Sequence, residues 1–154
     1  MVILGFLTGM ITEILGVQLG WIFGDYQYGD ALGIKVLGVP LLIGANWALL
    51  TIVTGAIAQQ FYQNFFLRIL IGAGFMILLD LLIEPIAPVL DFWVFDGGEA
   101  PLQNYIGWTA VALFLQIIFY SFRITVKGWF PHQLYLLQII FFTVLLIKQT
   151  TIGI

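Results

Sequence analysis

Long apolar runs separated by short polar segments make up most of the chain. Five of these runs reach or approach the length, about 20 residues, that a helix needs to cross a bilayer. They cover residues 2–23, 36–58, 65–83, 105–122 and 134–147. None shows the alternation of apolar and polar positions that is typical of membrane barrel strands. The pattern predicts an all-α integral membrane protein, a polytopic bundle of about five transmembrane helices that forms one domain over residues 1–154.

The composition agrees with a membrane protein and argues against several other classes. Hydrophobic residues make up 62% of the 154 positions and charged residues only 8%, whereas soluble domains carry roughly 25% charged residues. The net charge is −3 without a basic run, which argues against a nucleic-acid partner. With no cysteine and a single histidine, no metal site is predicted. Nucleotide-binding motifs are also missing from the sequence, and no cofactor is predicted.

The loops between the predicted spans differ in charge. Five spans place the loops 24–35 and 84–104 on one membrane face, and both loops are rich in acidic and aromatic residues. Arg68, Arg123 and Lys127 fall on the opposite face, against Lys35 and Lys148 on the acid-rich face. Basic residues favour the cytoplasmic side, so the acid-rich loops are predicted to be non-cytoplasmic.

Glu13 places a carboxyl group in the middle of the first predicted span. Such a group costs roughly 2.5–3.5 kcal/mol on insertion scales unless it faces the interior of a bundle. Gly9, Gly16, Gly20 and Gly24 lie within about 60° of Glu13 on a helical wheel, and a stripe of small residues lets another helix approach closely. Glu13 is therefore predicted to face protein, either as a hydrogen-bonding group between helices or as a catalytic acid.

Asp80 and Glu84 form a second candidate site at the end of the third span. Residues four apart lie on one face of a helix, and two carboxyl groups in a low dielectric divide into a proton donor and a base. The alternative is a solvated helix end, because Pro85 directly follows Glu84.

Amide and aromatic side chains are predicted at the same end of the bundle. They are Tyr26, Asn46, Trp47, Trp93, Asn104 and Trp108. An amide within a span needs a hydrogen-bond partner inside the bundle, so Asn46 is either a contact between helices or a site residue. Trp108 is either a site residue or an anchor at the membrane interface. Carboxyl groups, amides and aromatic faces in an apolar cavity suit acid–base chemistry on a lipophilic substrate.

Three segments together resemble the carotenoid biosynthesis membrane-protein family, which includes carotenoid 1′,2′-hydratases and bisanhydrobacterioruberin hydratase. The segments, which begin shortly after Glu13, read GVQLGWIFGDYQYGDALGIKVLGVPLLIGANWALL, DLLIEPIAPVLDFW and PLQNYIGW. The resemblance covers roughly residues 10–125, and the joint spacing of the three segments makes it specific.

The resemblance implies a hydro-lyase of carotenoid biosynthesis that adds water to the 1′,2′ double bond of an acyclic carotenoid end group. It implies an acid-catalysed reaction without a cofactor, in a prokaryotic cytoplasmic membrane. The partners would be the carotenoid, water, membrane lipid and other carotenoid enzymes. In this reading Asp80 or Glu13 donates the proton and Glu84 activates water. Four aromatic residues would stabilise the cation and two amides would place water, namely Tyr26, Trp47, Trp93 and Trp108, and Asn46 and Asn104.

Two other functions are compatible with the sequence. One is a non-catalytic carotenoid-binding or scaffold subunit of a pigment-synthesising complex. The other is a small proton-coupled transporter, which would predict similarity between two halves of the chain. The sequence shows no such internal repeat.

Overall fold

A computed structural model describes residues 1–152 as a bundle of five α-helices. The helices are α1 (Val2–Leu19), α2 (Leu41–Phe61), α3 (Phe65–Ile83), α4 (Leu102–Ser121) and α5 (Phe130–Ile152). A turn of 3-10 helix, Glu84–Ile86, extends α3. All five helices in this part of the chain are long and apolar enough to cross a membrane. The predicted all-α membrane bundle is confirmed.

Glycine and proline set several helix ends that differ from the ends of the apolar runs. α1 stops at Leu19 because Gly20 adopts the left-handed conformation, with φ 64°, and its N–H bonds back to the Gly16 carbonyl oxygen. α2 begins only after Pro40 and α4 directly after Pro101, since proline fits the start of a helix but not its interior. α5 extends beyond the predicted span at both ends. The apolar residues after Leu19 and before Leu41, which the apolar runs had included in spans, belong to loops or short strands.

Two pairs of short strands lie between the helices. They are β1 (Tyr26–Tyr28) with β4 (Trp93–Phe95), and β2 (Lys35–Val36) with β3 (Val39–Pro40), both antiparallel. In the first pair Tyr26 lies opposite Phe95, and Tyr28 lies opposite Trp93. We call β1 and β4 together the cap. The cap joins the two acid-rich loops and brings four aromatic side chains to one end of the bundle.

Asp91 fastens the two loops beside the cap. Its Oδ2 accepts the backbone N–H groups of Asp30 at 2.8 Å and Ala31 at 3.1 Å. The N–H of Gly29 donates to the carbonyl oxygen of Phe92 at 2.9 Å. Because these bonds continue the pairing of β1 with β4, two loops that are distant in sequence are joined over one end of the bundle.

α2 is the central and most buried helix, and α5 is the least buried. α1 approaches α2 closely through glycines: a Cβ added at Gly9 would lie 2.6 Å from Cβ of Trp47, and one at Gly5 would lie 2.8 Å from Cα of Ala48. Such distances leave no room for a larger residue. Of the glycine stripe predicted beside Glu13, Gly9 brings α1 against Trp47 and Gly16 lies against Tyr26 and Phe23. Gly20 and Gly24 lie beyond the end of α1, so their predicted place on its face is wrong.

Candidate active site

A small cavity lies under the cap, between the ends of α1, α2, α3 and α4. It is lined by eight of the nine predicted site residues, namely Glu13, Tyr26, Asn46, Trp47, Asp80, Trp93, Asn104 and Trp108. Phe23, Ile43, Leu50, Ile83 and Phe95 supply apolar walls. The space that water can occupy is about 30 Å³. That volume holds one or two water molecules, so in this conformation the cavity is sized for water.

Three donors surround the carboxyl group of Glu13, which is 2% exposed. Nε1 of Trp47 donates to Oε1 at 2.8 Å. The hydroxyl of Tyr28 donates to Oε2 at 2.7 Å, and the hydroxyl of Tyr26 donates to the same oxygen. These donors come from α2 and from the cap, so the Glu13 carboxyl connects three parts of the fold.

Burial keeps both tyrosine hydroxyls protonated. It raises the pKa of Tyr26 and the pKa of Tyr28 well above the ordinary value, and the nearby Glu13 carboxyl raises both further. A neutral hydroxyl can donate a hydrogen bond, whereas a phenolate cannot. Tyr26 and Tyr28 are therefore donors to Glu13 over the whole physiological pH range.

Asp80 has a different environment on the other side of the cavity. Its side chain is 2% exposed, and neither Oδ1 nor Oδ2 has a hydrogen-bond partner within residues 1–152. A buried charge without partners is far more costly than a buried neutral acid. Such a surrounding suits a carboxylic acid whose proton is not engaged by the protein.

Glu84 lies outside the cavity lining and holds two residues that belong to it. Its Oε1 accepts Nε1–H of Trp93 at 2.9 Å, and its Oε2 accepts Nδ2–H of Asn104 at 3.2 Å. Because Asp80 has no partner in the described chain, the two carboxyl groups do not share a hydrogen bond. The two residues predicted to act as an acid–base pair therefore have different surroundings. Glu84 is hydrogen-bonded to Trp93 and Asn104, whereas Asp80 has no partner in the described residues.

Aromatic rings form the walls around Glu13. Trp108 stacks on Trp47 with ring centroids 4.0 Å apart, and Phe23 packs near the same indole at 6.4 Å. Trp93 meets Tyr28 edge-on at 6.2 Å. Since Trp108 covers one face of the Trp47 indole, Trp47 acts through its N–H donor more than through an open ring face.

Asn46 is the one predicted amide whose expected partner is missing. Within residues 1–152 no hydrogen bond involves its side chain, although the group lines the cavity. Of the two predicted alternatives, a contact between helices or a site residue, the first is therefore not seen for Asn46 in the described chain. Its donors and acceptor are available to water or to a ligand.

Tyr28 donates to Glu13 and lines the cavity, but the sequence analysis did not include it among the site residues. The signal is the spacing in the segment Tyr26–Tyr28, because residues two apart in a strand lie on the same face. Phe95 lines the cavity for the same reason, two residues after Trp93. Their placement became visible only when the two loops were known to pair as strands.

A family model described as carotenoid biosynthesis protein matches residues 1–153. The chain belongs to the carotenoid biosynthesis protein family. It is 30% identical over 109 residues to a bisanhydrobacterioruberin hydratase from Haloarcula japonica, an alignment that covers 62% of this chain and 36% of the relative. The chain therefore spans about a third of the length of the curated relative it matches. No solved structure matches the chain.

Family membership gives a chemical context for the cavity. This is an integral membrane protein of the carotenoid biosynthesis family, and carotenoids are long apolar polyenes. The cavity supplies what such hydrocarbons lack, which is a set of ionisable and hydrogen-bonding groups in a dry surrounding.

Removing the Tyr28 hydroxyl should destabilise the protein through Glu13. Tyr28→Phe keeps the ring but leaves a buried carboxyl oxygen with one donor fewer, at a cost of about 1–3 kcal/mol in the free energy of unfolding. Denaturant unfolding in detergent measures this change. The matched control is Tyr62→Phe, whose ring is 38% exposed and which should unfold like the parent. Equal stability of Tyr28→Phe and Tyr62→Phe would show that the hydrogen bond from Tyr28 to Glu13 does not hold the cap to the bundle.

Proposed function

We propose that this chain adds water to the end-group double bond of an acyclic carotenoid, with Asp80 as the proton donor. The observation that carries this proposal is the buried Asp80 carboxyl group, which lines a water-sized cavity and has no hydrogen-bond partner within residues 1–152. An isolated alkene offers no polar handle, so its hydration begins with proton transfer to carbon from a positioned acid. Membership of the carotenoid biosynthesis family and the similarity to a hydratase support the same reaction.

The reaction needs only the alkene, one water molecule and the carboxyl group. The alkene π pair forms a C–H bond with the Asp80 proton at the less substituted carbon, which leaves a tertiary cation and the Asp80 carboxylate. A lone pair of the water oxygen forms the C–O bond. The carboxylate then takes the surplus proton from that oxygen, which restores the acid and releases a tertiary alcohol. No oxidant, reductant or cofactor takes part.

Glu13 has the position to stabilise the cation. Its carboxyl group accepts three hydrogen bonds, and these bonds offset part of the cost of burying it as a carboxylate. A fixed negative charge in a dry site stabilises positive charge that develops nearby. The ring of Trp93, which lines the cavity, adds a cation–π contribution. Glu13 is thus assigned the stabilisation of the cation, and Asp80 the donation of the proton.

Glu84 has a positioning role in this scheme in place of the water activation that the sequence suggested. It holds the side chains of Trp93 and Asn104, both of which line the cavity. Asn104 and Asn46 then place the attacking water. Asp80 recovers the proton from that water because it is the carboxylate formed in the first step.

A second candidate is a carotenoid-binding subunit without activity of its own. Membership of the carotenoid biosynthesis protein family fits such a subunit as well. Such a subunit would retain pigment but would yield no hydrated product in any variant.

Asp80→Asn tests the proton donor. The amide keeps the size of the side chain but cannot transfer a proton, so hydrated carotenoid from a lycopene-producing host should fall by roughly 10²–10⁴. Asp96→Asn, the same change at an exposed loop residue, is the matched control and should leave product formation unchanged. Pigment masses measure the outcome, with thermal unfolding as a check on folding. Full activity of Asp80→Asn would exclude Asp80 as the donor.

A cation mimic separates the roles of the two acids. An acyclic isoprenoid amine, whose ammonium group replaces the cationic carbon, should inhibit hydration by the parent chain. Glu13→Gln removes the negative charge, so inhibition should weaken by roughly tenfold or more, about 1.4 kcal/mol. Asp80→Asn should still bind the amine in a displacement assay against carotenoid. If Glu13→Gln binds the amine as tightly as the parent chain does, Glu13 does not stabilise the cation.

We also propose that the cap lies on the non-cytoplasmic face of a prokaryotic cytoplasmic membrane. Arg68, Arg123 and Lys127 lie at the opposite end of the bundle, and basic residues favour the cytoplasm. Reporter fusions after Asp30 and after Glu99 should both indicate the non-cytoplasmic side, and a fusion after Lys127 the cytoplasm. A cytoplasmic signal after Asp30 and Glu99 would reverse the orientation.

A further inference from the structure

A second, larger cavity adjoins the candidate active site between α2 and α5. It has a volume of about 250 Å³ and is almost entirely apolar. Leu42 and Leu49 of α2 and Phe142 of α5 form its sides, and Leu32 and Phe92 of the acid-rich loops form its upper end. We call this cavity the α2–α5 groove.

The α2–α5 groove and the active-site cavity share a wall. Ile43, Asn46, Ile83 and Trp93 line both spaces. Leu42 and Leu49 are seven residues apart, so the groove runs about 10 Å along α2, from the level of the active site towards the middle of the bundle. Only side chains separate an apolar channel from a cavity that contains two carboxyl groups.

Another apolar groove of similar size does not have this connection. It lies between α1 and α2, has a volume of about 340 Å³, and includes Leu7 and Ile52 in its lining. None of its lining residues lines the active-site cavity. Of the two grooves, only the α2–α5 groove thus borders the cavity in which the end of a long substrate would react at Asp80.

The α2–α5 groove is accessible from the surrounding lipid, because Leu42 and Leu49 in its lining are 55% and 40% exposed. α5 is the least buried of the five helices, and its side of the groove is formed by Gln138 and Phe142. A hydrophobic ligand can thus enter sideways from the hydrocarbon core without crossing the cap.

We propose that the α2–α5 groove binds the polyene segment next to the reacting end group, and that Asn46 and Trp93 form the opening through which the end group reaches Asp80. This inference rests on the proposed function and names the path and orientation of its substrate. Because lipid is as apolar as the groove, burial of hydrocarbon alone gives no preference. The preference comes from rigidity, since a conjugated chain loses less conformational freedom on binding than a flexible acyl chain.

Filling the groove should separate long substrates from short ones. Leu42→Trp adds bulk at a residue that is 55% exposed and lines the α2–α5 groove only, so the core and the active site remain unchanged. Hydration of lycopene should fall by roughly tenfold or more. Hydration of a short acyclic isoprenoid with the same end group, which does not extend into the groove, should be unaffected. Phe142→Trp fills the groove from α5 and should give the same split.

Leu7→Trp is the matched control, because it places the same side chain in the groove between α1 and α2. It should leave the hydration of both substrates unchanged. Equal lycopene hydration by Leu42→Trp, Phe142→Trp and the parent chain would overturn the proposal. So would an equal loss of lycopene hydration in Leu7→Trp.

Pigment retention tests the groove independently of catalysis. The parent chain purified from a lycopene-producing host should retain carotenoid, whereas Leu42→Trp and Phe142→Trp should lose most of it and Leu7→Trp should keep it. If the parent chain hydrates neither substrate, the proposed function fails while this comparison still decides the groove. Retention of equal pigment by all variants, or of lipid acyl chains only, would show that the polyene binds elsewhere.

Discussion

The arrangement of this bundle depends on the need to satisfy one buried carboxyl group. Glu13 lies within an apolar helix. Its buried carboxyl oxygens are satisfied by hydrogen bonds from Trp47, Tyr26 and Tyr28. Meeting that need fixes the contact of α1 with α2, since Gly9 allows the close approach to Trp47. It also fixes the cap, since two of the three donors belong to β1. Helix packing and loop pairing thus have a common cause.

Asp80, the second buried carboxyl group of the cavity, differs from Glu13 in its hydrogen bonding. Glu13 is surrounded by donors, whereas Asp80 lines the same cavity without any partner in residues 1–152. Hydrogen-bond donors reduce the cost of ionising Glu13, whereas Asp80 has no such donors in the described residues. Two acids in unlike environments can combine a proton donor with a stabilising charge in a single site. The Glu84 carboxyl accepts hydrogen bonds from Trp93 and Asn104 and so positions two residues that line the cavity.

The sequence predicted the helices and most of the cavity, for identifiable reasons. Apolar runs are long enough to specify spans, and polar residues in such runs, such as Glu13 and Asp80, must face the interior. Helix ends were less accessible, because Gly20 and Pro40 end or start helices within apolar runs. The roles of Tyr28 and Glu84 depend on pairing between β1 and β4, which are more than 60 residues apart, and local pattern does not encode such pairing.

The central claim is that this chain, by itself, adds water at the cavity that contains Asp80. The most direct measurement is incubation of the purified, reconstituted chain with an acyclic carotenoid in oxygen-labelled water, followed by mass analysis of the pigment. We expect one labelled oxygen for each end that reacts with the parent chain, and none with Asp80→Asn. Unlabelled pigment from the parent chain, or label that persists in Asp80→Asn, would contradict it.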